Sequence, residues 1–231
     1  VAQDLSKYDF LAMPVVDKEN RLVGIVTIDD AIDVMEEEAT EDFELMAAIT
    51  PTDKPYLRAG VWETVKSRLP WLMLLMLSAT FTGIVISSFE DSLAVCSVLI
   101  GFIPMLMGTG GNCGNQSSVA VIRGLSLNEI GFSDLVSVVW KESRVALVCG
   151  ALLSCANFVK LLAVDRWLMQ NAEVTTLVAL VICLTLMCTV FCAKVVGCLL
   201  PLLAEKIGLD PAVMAAPFIS TIVDVLSLLI Y

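Results

Sequence analysis

The sequence predicts a mainly α, polytopic membrane protein, with five transmembrane helices preceded by a partial α/β domain and an acidic connecting helix. Three observations carry this expectation. The 231 residues are 58% hydrophobic, with a mean hydropathy of +0.85, whereas soluble domains are about 45–50% apolar. Charge is unevenly spread: residues 1–60 hold 14 acidic and 5 basic side chains, and residues 61–231 hold 11 and 9. Five long runs in the back of the chain are nearly free of charge. A polar acidic front joined to a lipid-soluble remainder points to two domains in two solvents. The division we expect is an α/β piece over 1–30, the acidic connecting helix and its linker over 31–55, and the transmembrane domain over 56–231. Val1 opens in mid-pattern without a signal peptide, which leads us to expect a longer N-terminal region.

In chain order, residues 8–30 read as a compact α/β unit. AMPVVD (12–17) is a short strand, KEN (18–20) a turn and RLVGIVT (21–27) a second strand. Two β-rich runs joined by a polar turn make a hairpin signal. Thr27 or Asp29 is placed to cap the helix that starts there. That helix is expected to run to about Ile49. On a wheel, Ile32, Met35, Ala39, Phe43 and Met46 share one side, and Asp30, Asp33, Glu37, Glu41 and Glu44 lie opposite. Nine of the sixteen residues from 29 to 44 are acidic and none is basic. Like charges at i,i+4 destabilise a helix, so solvent, a basic partner or bound cations must offset the repulsion. A solvated face is the plain alternative to a sensor. Thr50, Pro51 and Pro55 end the helix and mark a linker.

The five candidate spans are 69–89, 92–122, 145–164, 174–204 and 212–231. At about 1.5 Å per residue each is long enough for a roughly 30 Å hydrocarbon core. Lys66, Arg68, Arg123, Lys141, Arg144 and Lys206 flank alternate ends, with Arg166 and Lys160 opposite. The positive-inside rule then puts the N-terminal module in the cytoplasm of a multi-pass cell-membrane protein, with the last residue facing out.

The polar residues inside these spans carry the chemistry. Asp224 lies about 18 Å into the last span, near mid-bilayer, where a lone carboxylate is a functional hypothesis by default. Its plain alternative is a structural carboxylate paired with Lys194. Pro211 and Pro217 precede it and are expected to free local carbonyls. Carboxylate and carbonyl oxygens suit hard divalent cations. GTGGNCGNQ (108–116) sits within an uncharged run, and Asn112, Asn115 and Gln116 offer neutral oxygens. A small-residue packing face is its alternative; a nucleotide-cradling loop is disfavoured, because no P-loop lysine follows. Lys194 has three open readings: an ion pair with Asp224, a brake on cations in a pore, or a stem that snorkels. The eight cysteines read as small buried hydrophobes, since none forms a CxxC pair. The absence of histidine removes imidazole catalysis and the commonest transition-metal ligand.

DFLAMPVVDKENRLVGIVTIDD resembles the second half of a CBS domain, including Thr27 and Asp30 in a TxxD arrangement. The acidic helix, GTGGNCGNQ, LDPA (209–212) and TIVD (221–224) follow in the order found in the MgtE family of magnesium channels. The resemblance implies a homodimer with five membrane helices per subunit and a pore on its axis. It implies that Asp224 recognises Mg²⁺, that Asn115 is a pore-lining amide, that Ser220 offers its backbone carbonyl, and that Ala216 lies one turn along the same wall. It further implies closure by cytosolic Mg²⁺ bound at Asp30, Asp33, Glu38, Glu41, Asp42 and Asp210, with Glu142 a weaker candidate. Two features depart from the family pattern. Its N-terminal helical domain and first CBS repeat have no counterpart in these residues, and Lys194 stands where a neutral polar residue is expected. Mg²⁺ is therefore the expected transported and regulatory ion, with Mn²⁺, Co²⁺ and Ni²⁺ open as alternatives. Membrane lipid and a nucleotide at the CBS piece are candidate partners; nucleic acid is not.

Mg²⁺ sheds water reluctantly and is usually held by one or two carboxylates. Two Asp224 side chains on a two-fold axis would suit a largely hydrated ion. Passive inward flux would be driven by about 2.3 kcal/mol per charge per 100 mV. A coupled secondary transporter, with Asp224 as a proton or Na⁺ site, is the second reading. A non-transporting membrane sensor is the third. An enzyme is disfavoured, because no nucleophile–base pair is evident.

Overall fold

The apolar runs form long helices that wrap around one another, and the polar front folds separately. The computed structural model describes residues 1–52, 54–89, 97–214 and 216–231, without the side chains of Gln3, Ser6 and Ala216. A short helix α1 (Ala2–Lys7) leads into strands β1 (Ala12–Val16) and β2 (Leu22–Thr27). The strands pair antiparallel, Ala12 opposite Thr27 and Met13 opposite Val26. The hairpin expected from the sequence is present. Its turn is held by Asp17, whose carboxylate accepts from the backbone of Glu19 (2.9 Å) and Arg21 (2.8 Å). Asn20 takes the left-handed conformation (φ 59°), which asparagine tolerates better than most residues. Helix α1 was not anticipated; its Leu5 is fully buried.

Helix α2 (Ile28–Met46) follows β2 directly. Thr27 is its N-cap, and both the backbone N–H and the hydroxyl of Thr27 donate to the Asp30 carboxylate. Ala47 and Ala48 close the helix, and Ala48 turns left-handed (φ 55°). It therefore stops three residues short of the expected Ile49. The apolar side drawn on the wheel is not its buried side: Ile32, Met35 and Phe43 are exposed, while Ala31 and Leu45 are buried. Leu45 packs against Ile122 and Ala212 of the membrane domain, so docking at one end, rather than a continuous stripe, orients the helix.

The membrane domain consists of α3 (Val61–Ser88), α4 (Ile103–Ser126), α5 (Leu135–Lys160), α6 (Thr176–Ile207) and α7 (Ala216–Ile230). A 3₁₀ turn (Ser97–Phe102) leads into α4, a π-helical turn (Leu161–Leu168) extends α5, and a 3₁₀ turn (Pro211–Met214) precedes α7. Four of the five expected spans are long and apolar enough to cross a membrane: Val61–Ser88, Phe132–Leu168, Thr176–Ile207 and Pro211–Ile230. The fifth, α4, has 24 residues, or about 36 Å of helix. Its glycines and amides lower its apolarity; one face is buried against its neighbours, while Pro104, Gly108, Asn112 and Gln116 lie along an exposed face. This is a multi-pass membrane protein with a small α/β appendage.

Burial ranks the helices. In its most apolar window α6 is 44% buried and α3 only 6%, so α6 is the axis of the bundle and α3 its periphery. Helices α4 and α6 meet at two glycines. A Cβ on Gly197 would lie 2.2 Å from the Gly114 carbonyl oxygen. A Cβ on Gly110 would lie 2.7 Å from Thr189 and 2.9 Å from Val223. Small residues thus let backbones approach, the usual device of membrane helix packing. Helix α3 is tied to α7 by Ser78, whose hydroxyl donates to Thr221 (3.2 Å), and by an edge-to-face contact of Trp71 with Phe218.

The two ends of the bundle differ. At one end Lys160 stands over the Phe102 ring and pairs with Asp165 at 2.9 Å, and the Tyr231 hydroxyl donates to the Leu99 carbonyl. At the other, Lys206 stands over Phe132, and the Ser126 hydroxyl donates to Asp42 of α2 (2.8 Å). The acidic helix and Lys206 therefore share one end, away from Lys160.

Candidate functional site

Asp224 projects from the middle of α7, half-buried, and helps line a cavity of about 350 Å³. The other lining residues are Pro104, Met107, Gly108, Gly111, Asn112 and Asn115 of α4, and Ser220 of α7. The helical period explains how α4 supplies its share. Positions 108, 111, 112 and 115 are spaced i, i+3, i+4 and i+7, which is one helix face. Gly110 and Gly114 lie on the adjoining face and pack against α6 and α7. The stretch GTGGNCGNQ is thus both things its sequence allowed: one face packs helices and the other presents amides. It is continuous α-helix, so its carbonyls remain in the helix ladder.

The cavity brings together three of the four expected pore residues: Asp224, Asn115 and Ser220. The side chain of the fourth, Ala216, lies outside the described residues, as does Cys96. Asn112 joins them, and Gln116 is exposed and not among the lining residues. The Asn115 side-chain oxygen is buried with no hydrogen-bond partner among the described residues. A buried acceptor left unpaired costs about 1–3 kcal/mol, so an orphan oxygen beside a carboxylate is suited to a hydrated cation. Pro211 opens the 3₁₀ turn that precedes α7. Pro217 occupies the first turn of α7, where a missing N–H breaks no helical bond. The Thr221 hydroxyl donates to the Pro217 carbonyl (3.1 Å).

Lys194 resolves against its three sequence readings. Its side chain is 5% exposed, and its Nζ lies 3.9 Å from Glu142 Oε2, the latter being 14% exposed. Nζ also donates to Ser117 Oγ (3.2 Å), and Ser117 Oγ donates to Glu142 Oε2 (2.7 Å). Lys194 is thus paired, but with Glu142 and not with Asp224, and it neither lines the cavity nor snorkels. Glu142, the weaker regulatory candidate, is occupied inside the membrane domain and is not gathered with the acidic helix. Glu142 and Lys194 lie on different helices, far apart in sequence, so nothing along the chain signalled this pairing.

Of the other regulatory candidates, Asp33, Glu38 and Glu41 line a second, open cavity of about 710 Å³ with Glu36, Glu37, Glu44 and the linker residue Lys54. The Glu44 carboxylate accepts from the Thr52 backbone (2.9 Å), which holds the linker against the helix. Asp30 is occupied by its capping bonds, and Asp42 by Ser126. The Asp210 carboxylate accepts from the Ala212 backbone (2.8 Å) and starts the 3₁₀ turn. Because Leu45 packs on Ala212, α2 and the approach to α7 are joined mechanically. Among the described residues no three carboxylate or thiol groups converge to hold a metal ion within one chain. The described cysteines are free thiols: Cys113, Cys183 and Cys198 are buried as expected, but Cys155 and Cys188 are exposed on the surface of the single chain.

Comparisons with known proteins match both halves of this architecture. The family model for CBS domains matches residues 1–37, and that for MgtE, described as a divalent cation transporter, matches residues 103–231. The chain is similar to proteins named magnesium transporter MgtE from Thermus thermophilus, at 39% identity, and Bacillus subtilis, at 40%. A third, from Enterococcus faecalis, is 35% identical. All of this chain and 49% of each relative are covered, so the chain spans about half the length of the curated relatives it matches. With more than half of its residues matched by the family model, and with the helices that the model covers enclosing the Asp224 cavity, the chain belongs to the MgtE divalent cation transporter family.

Proposed function

We propose that this chain forms the ion-conducting part of a Mg²⁺ channel that admits the ion passively and inward. The observation that carries this is the cavity shared by Asp224, Asn112, Asn115 and Ser220. One carboxylate among neutral oxygens holds a hydrated divalent cation loosely enough to release it, as conduction requires. The relatives' name, magnesium transporter, supports Mg²⁺ as the ion. Mn²⁺, Co²⁺ and Ni²⁺ are the competitors to be compared. In this reading the working unit is a homodimer in the cell membrane, with the Asp224 cavities of two copies facing a common axis. The N-terminal module then lies in the cytoplasm, its CBS piece a candidate nucleotide site.

Gating follows from α2. Bound Mg²⁺ would neutralise carboxylates such as Asp33, Glu38 and Glu41 and hold the helix against the entrance of α7 through Leu45 and Ala212. A ligand shifts such an equilibrium only through its differential affinity for the two states.

The deciding experiment is Mg²⁺ flux into liposomes with no pH or Na⁺ gradient, wild type against Asp224→Asn. A channel gives downhill flux that is lost in the variant. Flux that appears only with an imposed proton or Na⁺ gradient would replace the channel by a coupled transporter. Wild-type flux from a folded Asn variant would remove Asp224 from the pathway.

A further inference from the structure

Behind the cavity wall lies a charged pair that the ion pathway does not touch. Lys194 of α6, Ser117 of α4 and Glu142 of α5 form a three-helix junction in which Nζ, Oγ and Oε2 are within 2.7–3.9 Å of one another. Ser117 follows Asn115 by two residues, or about 200° around the helix. The junction therefore sits on the opposite face of the same helix that presents Asn112 and Asn115 to the cavity. About one helix diameter, on the order of 10 Å, separates the two faces. A charge at that range is felt strongly where protein and lipid replace water. Removing one partner of a buried pair leaves the other uncompensated.

We propose that Lys194 and Glu142, bridged by Ser117, are positioning residues whose electrical balance sets cation flux through the Asp224 cavity. The pair is neutral as it stands, so Ser117 ties α4 to both α5 and α6 without imposing a field on the ion path. Lys194 alone would repel cations from the cavity, and Glu142 alone would attract them. A divalent ion would feel either field twice as strongly as a monovalent one. This inference rests on the transport reading given above.

The test compares initial Mg²⁺ flux in liposomes for the full chain and for Glu142→Gln, Lys194→Met and the double variant Lys194→Met/Glu142→Gln, with a monovalent cation in parallel. The expected order is Lys194→Met highest, the double variant and wild type within about threefold of each other, and Glu142→Gln lowest. The extremes should differ at least tenfold for Mg²⁺ and by less for the monovalent ion. A purely structural junction predicts a different pattern, in which flux follows folded fraction, measured by thermal melting, whatever the sign of the remaining charge. Should Glu142→Gln fail to fold, the Lys194→Met and double variants still decide: a Lys194→Met flux no higher than that of the double variant overturns the inference. Asp224→Asn is run beside them. Absence of flux in wild type defeats the transport reading itself, whereas a conducting wild type with equal fluxes in every charge variant defeats only the charge balance.

Discussion

Two buried oxygens show how position alone changes the meaning of an unpaired group. Asn115 Oδ1 and Thr189 Oγ1 are both buried without a hydrogen-bond partner among the described residues. Asn115 lines the Asp224 cavity, whereas Thr189 is 1% exposed and packs beside Gly110. Replacing Thr189 by the isosteric valine removes an unsatisfied group and should stabilise the protein by about 1 kcal/mol with unchanged Mg²⁺ flux. Asn115→Ala should also leave thermal stability intact, but it removes an oxygen from the Asp224 cavity. Its Mg²⁺ flux at low concentration should fall several-fold; melting curves together with liposome flux separate the two cases. Asp224→Asn is the stronger loss, at least about tenfold, or roughly 1.4 kcal/mol. Asp224 and Asn115 were legible in the sequence, because charge and amides in an apolar run must face protein or water; Ser220 came only from the family resemblance. The partner of Lys194 was not, since nothing along one chain says which helix a buried lysine will meet.

The fit of α4 against α6 rests on Gly114 and Gly197, and the docking of α2 rests on Leu45. An added methyl at Gly197 has no space beside the Gly114 carbonyl. Gly197→Ala should therefore force the helices apart and cost about 1–3 kcal/mol, read as a lower melting temperature in detergent. Gly108, whose added Cβ would meet nothing within 4 Å, is the control: Gly108→Ala should melt at or above wild type, as helix propensity favours alanine by about 1 kcal/mol. For α2, Leu45→Ala should loosen the contact with Ile122 and Ala212, so that millimolar Mg²⁺ no longer protects residues 29–44 from proteolysis or lowers open probability. Neutralising Asp33, Glu38, Glu41 and Asp42 together by their amides separates two mechanisms. A bridging site predicts that Mg²⁺ no longer lowers flux, while simple relief of repulsion predicts flux that stays low. Closure that survives unchanged would make the acidic face a solvated surface. The acidity of α2 was plain from composition. Its buried face was not, because a helix docked at its end buries what its neighbour reaches, not what its wheel suggests.

At the scale of the whole molecule, the periphery is as informative as the core. Helix α3 exposes Leu72, Met73, Met76, Leu77 and Phe81, a surface for lipid or for a second copy. A homodimer predicts two copies per particle by light scattering in mild detergent, and a cross-link yield that does not fall on dilution with detergent micelles. A single copy that still conducts Mg²⁺ would place the whole pathway within one chain. Hydropathy by itself determined that the chain is a multi-pass helical membrane protein, since hydrocarbon demands long apolar helices with satisfied backbones wherever they occur. Residue pattern alone determined the hairpin and the acidic helix. Only the tertiary structure decided that α6 is central, that Glu142 neutralises Lys194, and that the glycines of α4 serve packing while its amides serve the cavity. Those outcomes depend on contacts between helices far apart in sequence. Period and composition fix which face of a helix is polar, but not which neighbour that face will find.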